Sequence, residues 1–256
     1  MKVILDTNVY LSQGFDFFAK NKNKIVGTKW NAWELITSSR YNRMSFQTFQ
    51  RAICKFLKYC DTYLKYTPVE GLMGDHLGHL RITKSRKVFD IILDELLRIE
   101  SAADYDAYLN GQAFVDFREY DNRARNSMTQ LIANLVKKLK RHNPKVFDRQ
   151  LAYYYIAANM DEFVLDWLWK HYRLIPMRSK IETFAGTPFI ELFLDYAEMK
   201  FNQGGCAHRN DFNDLVFSVY LNNSDFAFCT TEPKWKELYQ SNPMLDKRFV
   251  LVSDLS

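Results

Sequence analysis

Four acidic residues stand where a parallel α/β sheet would deliver them to one edge. Asp6 closes the apolar run Lys2-Val-Ile-Leu5, and Asp6-Thr7-Asn8 reads as a polar turn at the C-terminal end of a buried strand. Glu34 opens the helix that follows a second short strand, Lys24–Thr28. Asp214 falls in the first turn of a helix expected from Asp211 to Leu221, with Asp211 as its N-cap or as an auxiliary ligand. Glu232 follows the strand Phe226–Thr230 by way of Thr231. Ligand sites of open parallel sheets lie beyond the carboxyl ends of the strands. Carboxylates gathered there repel one another unless they are protonated or neutralised. Such hard oxygen donors suit Mg²⁺ or Mn²⁺. Two such ions activate a water and stabilise the leaving oxygen of a phosphodiester. Asn8 and Thr230 are substrate-binding candidates beside the acids, and the Thr7 and Thr230 hydroxyls are alternatively placed to hold an acid in position.

The elements that must position these acids follow from composition and pattern. Only 9 Gly and 6 Pro in 256 residues leave too few turn-formers for an all-β fold, so helices should dominate. Apolar residues make up 47% of the chain, enough for a sizeable core. Strands are expected only near the chain ends: Lys2–Leu5, Lys24–Thr28, Phe226–Thr230 and Arg248–Ser253. Between Ser45 and Phe201 the apolar spacing is helical. Ser45 and Ser85 are expected N-caps, and Phe114–Leu139 reads as one helix or as two with a break near Asn126-Ser127. A helical stretch lies between Pro144 and Pro176, Pro188 opens a helix through Lys200, and Gln203-Gly-Gly-Cys206 breaks it. The expected fold class is therefore α/β. A small parallel sheet is built from both chain termini (1–44 and 203–256), and a large all-helical insertion (45–202) supplies a part that completes the core.

With that frame in place, Lys2-Val-Ile-Leu-Asp6-Thr-Asn8 resembles the opening of a PIN-domain nuclease. Ala32-Trp-Glu34-Leu35 is similar to that family's second acid, and Asp214-Leu-Val-Phe-Ser-Val-Tyr-Leu221 to its third acid and the helix behind it. Phe228-Cys-Thr230-Thr-Glu232 resembles the strand that supplies the fourth, at a family-like interval of 18 residues from Asp214. The resemblance covers residues 1–40 and 205–256. It implies a PIN-like sheet and a Mg²⁺- or Mn²⁺-dependent endoribonuclease leaving a 5′-phosphate. Asp6, Glu34, Asp214 and Glu232 would be its catalytic and metal-binding acids, with Asp211 beside them. It further implies a toxin or defence role in which a protein inhibitor or antitoxin holds the enzyme in check. Two departures stand out: an unusually long insertion, and Glu where Asp or Asn is commoner at position 232.

Other constellations speak to partners. Lys137, Lys138, Lys140 and Arg141, with Lys145 nearby, form a basic cluster suited to RNA phosphates, and Arg81, Lys84, Arg86 and Lys87 form another. The net charge of +5 permits a polyanionic partner without requiring one. Asp75-His76-Leu-Gly-His79 is a weak metal pattern in a glycine-rich loop. Glu191, Asp195 and Glu198 lie along one helix face, as a solvated stripe or as auxiliary ligands. Four cysteines without zinc-like spacing, and a start that lacks a secretory apolar run, are expected of reduced thiols in a cytoplasmic protein. A membrane span is not expected, and the oligomeric state is left open. The rival expectations are a catalytically weak RNA-binding or scaffold module on the same fold, and action on structured DNA.

Overall fold

The structure is a computed structural model that describes residues 1–37, 44–66, 98–159, 187–208 and 211–255, together with Pro68, Ile91, Asp94 and Glu95. Five strands form one all-parallel sheet in the order β3-β2-β1-β4-β5. These are β1 (Lys2–Leu5), β2 (Ile25–Thr28), β3 (Thr62–Leu64), β4 (Phe226–Thr230) and β5 (Phe249–Leu251). The first strand occupies the centre, bonded to β2 on one side and to the late strand β4 on the other. Both chain termini thus enter one sheet, as the apolar runs at the two ends lead one to expect.

Helices cover both faces. On one side pack α1 (Thr7–Ser12), α2 (Phe15–Asn21), α3 (Lys29–Thr37) and α4 (Phe46–Tyr59). On the other pack α6 (Gln112–His142), α7 (149–159), α8 (Pro188–Gln203), α9 (Asp211–Phe217) and α10 (Lys234–Ser241). Helix α5 (Ala102–Leu109) precedes α6, and a short α11 (Val252–Leu255) closes the described chain. The period of two in β1 sorts its side chains: Val3 and Leu5 enter the first core, and Ile4 enters the second with Val26 and Phe228. A strand buried on both faces must be apolar at every position, and Val3, Ile4 and Leu5 are each 2% exposed or less.

Local chemistry fixes the helix ends. The Ser45 side chain accepts from the backbone N–H of Thr48, as an N-cap should. Thr187 caps α8 with Pro188 in its first turn, and Gly204 ends it at φ 67°, the left-handed conformation that favours glycine. The Phe114–Leu139 region belongs to one uninterrupted helix, so the alternative of a break at Asn126-Ser127 does not occur. The helix expected over Asp211–Leu221 turns 3₁₀ after Phe217.

One expectation needs correcting: the stretch from Ser45 to Phe201 is not purely helical. Thr62–Leu64 pairs with β2 as the edge strand β3, so this part of the expected insertion completes the parallel sheet. Three residues are too few to show a period of two, so pattern alone could not reveal β3. The Ser85 helix, the Asp75–His79 pattern, the Arg81–Lys87 cluster and the latter half of the Pro144–Pro176 stretch lie outside the described residues. Among the described residues no helix is long and apolar enough to cross a membrane.

Close packing around β2 gives a first test. A Cβ added at Gly27 would sit 2.7 Å from Tyr63 Cδ1 and 3.0 Å from Phe56 Cε2. The Tyr63 hydroxyl is tied to the carbonyls of Phe56 and Leu57, so its ring cannot step aside freely. Gly27→Ala is expected to cost about 1–3 kcal/mol of unfolding free energy through overpacking, measured as a lower urea midpoint at unchanged m.

Candidate functional site

The sheet register builds the site from the centre outward. Leu5 pairs with Cys229, and the Asp6 N–H extends the ladder to the Cys229 carbonyl at 2.7 Å. Asp6 is therefore set opposite Thr230, whose hydroxyl donates to Asp6 Oδ2 at 2.8 Å. Asp6 is also the N-cap of α1: its Oδ1 accepts from the Asn8 N–H at 3.3 Å, and Oδ2 accepts from Asn8 Nδ2 at 3.2 Å. The capping role and membership of the acid group are thus both realised. Asn8 Nδ2 reaches Glu232 Oε1 as well, at 3.0 Å, so one side-chain amide joins the acids after β1 and β4. The Glu232 N–H donates to Thr230 Oγ1 at 3.1 Å, which turns the chain at the end of β4.

Glu34 arrives by a different route. Asn31 Nδ2 donates to the Leu5 carbonyl at 2.8 Å, while Asn31 Oδ1 accepts from the Thr28 hydroxyl at 2.9 Å. This links the ends of β1 and β2 to the start of α3. Glu34 lies three residues later, on the same helix face. Its Oε2 accepts from the Thr7 hydroxyl at 2.5 Å, and its Oε1 accepts from Asn213 Nδ2. Asp214 comes from the first turn of α9, with Oδ2 accepting from Trp235 Nε1 at 3.0 Å.

Asp6, Glu34, Asp214 and Glu232 come from four separated stretches, and the three buried ones feel their acidic neighbours. Burial, then the charges of Asp6, Glu232 and Glu34, push the Asp214 carboxyl well above the usual carboxylate range. Burial, then the Asp6 charge, lifts Glu34 to about 7, against the hydrogen bonds from Thr7 and Asn213 and the nearby Arg125 guanidinium. Asp6 is also raised, by burial first and the Glu232 charge after it, although Thr230 and Asn8 oppose the shift. Asp6, Glu34 and Asp214 are 3, 7 and 7% exposed, so water does little to screen them from one another.

Two cations moderate this field. Lys234 Nζ lies 2.8 Å from Glu232 Oε2 and 2.9 Å from Asp211 Oδ1. Arg125, buried in α6, lies near enough to Glu34 to favour its ionised form. Asp211 is the first residue of α9, and its oxygens are engaged by Lys234 and by the Tyr196 hydroxyl at 2.5 Å. It meets the other acids through Lys234.

Among the described residues, no three His, Cys, Asp or Glu side chains are grouped so that they could hold a metal ion between them. The chemistry of the donors does match a hard divalent cation. Carboxylate oxygens are the ligands such ions take, and Asn213 Oδ1 is a buried acceptor with no hydrogen-bond partner, beside Glu34.

The basic candidates lie apart. Arg125 marks the stretch of α6 beside Glu34, and Lys137 to Arg141 follow 12 to 16 residues later in the same helix. At 1.5 Å per residue that is roughly 18–24 Å along the axis. There Lys138 covers the Tyr155 ring and Lys140 the Phe201 ring. The stripe Glu191, Asp195 and Glu198 is bridged by Arg149, at 2.6, 2.7 and 3.6 Å, so it is neither a bare solvated face nor a free ligand set. Arg149→Met should expose that like-charge stripe. Because the Arg149 side chain is 41% exposed, the loss is about 1 kcal/mol, read as a lower melting temperature that shrinks with added salt.

Sequence reasoning passed over Asn31, Asn213, Lys234, Trp235 and Arg125. Two of them sit within two residues of a named acid, Asn213 before Asp214 and Lys234 two after Glu232, so a polar neighbour was the available signal there. Arg125 carries no such signal, because only the packing of α6 brings it to Glu34.

No family model matches the chain, and neither a curated protein nor a solved structure matches it.

Proposed function

We propose that this chain is a PIN-type, Mg²⁺- or Mn²⁺-dependent nuclease that hydrolyses phosphodiester bonds in RNA. The observation that carries the reading is the gathering of four carboxylates from residues 6, 34, 214 and 232 at the C-terminal edge of a parallel sheet, three of which, Asp6, Glu34 and Asp214, are buried and raised in proton affinity by burial and by their acidic neighbours. Buried like charges destabilise a fold, and sites that retain them are commonly functional. The sheet centred on β1, with Asp6 at its end capping α1, supports the family resemblance.

In this reading Asp6, Glu34, Asp214 and Glu232 hold the cations, which when bound supply an activated water and charge neutralisation at the leaving oxygen. The rest falls to the chain itself. Thr230 and Asn8 fix the rotamer of Asp6, Thr7 and Asn213 fix Glu34, and Trp235 fixes Asp214. Lys234 and Arg125 temper the acidic field so that a polyanion can approach. Incubation of the purified chain with single-stranded and structured RNA, with Mn²⁺ or with chelator, tests the proposal. Cation-dependent cleavage to 5′-phosphate ends is expected, and DNA run in parallel tests the sugar preference. A protein inhibitor or antitoxin partner belongs to the same proposal.

One contact favours a second reading, a catalytically weak RNA-binding or scaffold module. Lys234 already pairs with Glu232, placing an ammonium where a nuclease wants a cation ligand. RNA retained on the protein without cleavage under any divalent cation would establish that alternative.

A further inference from the structure

Beside the acids lies a pocket of about 230 Å³ between α8 and α10. Tyr196, Met199, Lys200 and Gln203 recur at helical spacing on α8 and line one side, and Lys234 and Leu238 of α10 face them. Its floor is the stacked pair Tyr196 and Trp235, with ring centroids 5.9 Å apart. Trp235 also donates to Asp214, and Lys234 also pairs with Glu232, so the pocket and the acid group share a wall.

Lys200 brings a lightly partnered ammonium to the pocket, set over the Tyr196 ring at 5.1 Å from its centroid. Lys200 is 8% exposed, yet its nearest anionic oxygen among the described residues, Asp211 Oδ2, lies 3.8 Å away, beyond hydrogen-bond reach. That oxygen already accepts from Tyr196, and the other oxygen of Asp211 accepts from Lys234. Neither the Asp211 carboxylate at 3.8 Å nor the Tyr196 ring takes a hydrogen bond from Lys200, so its N–H donors are available to a ligand. An anion entering the pocket would complete Lys200 with charge-assisted bonds, with exposed His208 at the rim as a further donor. Apolar walls of Met199 and Leu238 leave room for a flat, mostly apolar body, and Gln203 offers an amide that can both donate and accept along its edge.

The geometry points to a nucleotide subsite: the pocket takes one nucleotide unit, its phosphate on Lys200 and its base against Met199, Leu238 and Gln203. This rests on the nuclease reading for its most direct source, the unit next to the scissile phosphate of a bound strand. A free mononucleotide offers the same chemistry.

Calorimetric titration of the full chain with ribonucleoside 5′-monophosphates and with inorganic phosphate, in chelator, tests the site without catalysis. Saturable 1:1 nucleotide binding is expected, weakened about tenfold by Lys200→Met. Gln203→Ala, at an exposed position, should weaken nucleotide but not phosphate. Melting curves confirm that both variants fold. Absence of saturable binding, or equal binding by wild type and Lys200→Met, overturns the site. Phosphate binding as tightly as nucleotide, indifferent to Gln203→Ala, overturns the nucleotide assignment. Anisotropy of labelled RNA in chelator separates the sources: displacement by mononucleotide assigns the pocket to the strand, and simultaneous binding of both assigns it to a free nucleotide. Nucleotide binding in a chain that never cleaves RNA sinks the nuclease reading alone. Cleavage by a chain that binds no nucleotide sinks the pocket alone.

Discussion

Asp214→Asn is expected to abolish cation-dependent RNA cleavage and, in the same protein, to raise the melting temperature. Asp214 is 7% exposed and lies within the fields of Asp6, Glu232 and Glu34, so its ionised form is held at high energy. The substituted amide keeps the shape and can still accept from Trp235 Nε1 through its oxygen. It removes one repelling charge, and with it one hard ligand. If the acids act as proposed, kcat should fall by about three orders of magnitude, or ~4 kcal/mol in the barrier. A gain of even ~1 kcal/mol in unfolding free energy raises the melting temperature by roughly 2–4 °C for a chain of this size. Asp6→Asn should lose activity equally. Its stability gain should be smaller, because Asp6 accepts from Thr230 and twice from Asn8, and one of those donors would face an amide N–H₂. Opposite movement of activity and stability marks a site kept for function. Cleavage that survives both substitutions, or a melting temperature that drops sharply in Asp214→Asn, speaks against the site.

How far the sequence foretold this arrangement depends on the scale of the signal. The strands β1 and β4 were legible because burial on both faces requires unbroken apolar runs, and each run is followed by polar residues. The acids were legible because they follow those runs directly. The pairing of β1 with β4, across more than 220 residues, was inferable only from parallel α/β topology, and the register confirms it. Edge strand β3 was not legible, since Thr62–Leu64 is three residues long and its exposure is mixed. The supporting groups were hidden for another reason. Asn31 and Asn213 act through single side-chain hydrogen bonds, and Asn is common enough in turns and helix starts that its type alone says nothing of a partner. Arg149 illustrates the opposite error. Three carboxylates on one helix face look solvated or metal-binding until a cation from α7, some 40 residues earlier, is seen between them.

The metal-free chain should lose stability as pH rises from about 5 to 7. Glu34 goes from an ordinary value of 4.5 to about 7 on folding, so within that window the folded state holds a proton that the unfolded state has released. Stability falls with pH wherever the native state binds more protons, so the sign is negative between the two values and the slope vanishes above them. A shift of this size corresponds to a loss of roughly 3 kcal/mol across the window. Asp6 and Asp214 are raised for the same reason and add in the same direction. Burial acts to lower Lys234, but Glu232 and Asp211 outweigh it and raise it; its contribution is complete below the ordinary lysine value of 10.5 and leaves this window untouched. Glu34→Gln should therefore flatten the slope and stabilise the chain most at pH 8, since Thr7 can turn its hydroxyl to accept from the new amide. Mg²⁺ or Mn²⁺ competes with protons for the same oxygens, so its stabilising effect should be small at pH 5 and grow towards pH 8, reaching about 2.7 kcal/mol at a concentration 100 times Kd. Thermal melts at pH 5, 6, 7 and 8, in chelator and with Mn²⁺, measure all three effects. A melting temperature that climbs from pH 5 to 8 in chelator, or a Mn²⁺ effect indifferent to pH, would mean that these carboxylates do not share one low-dielectric site.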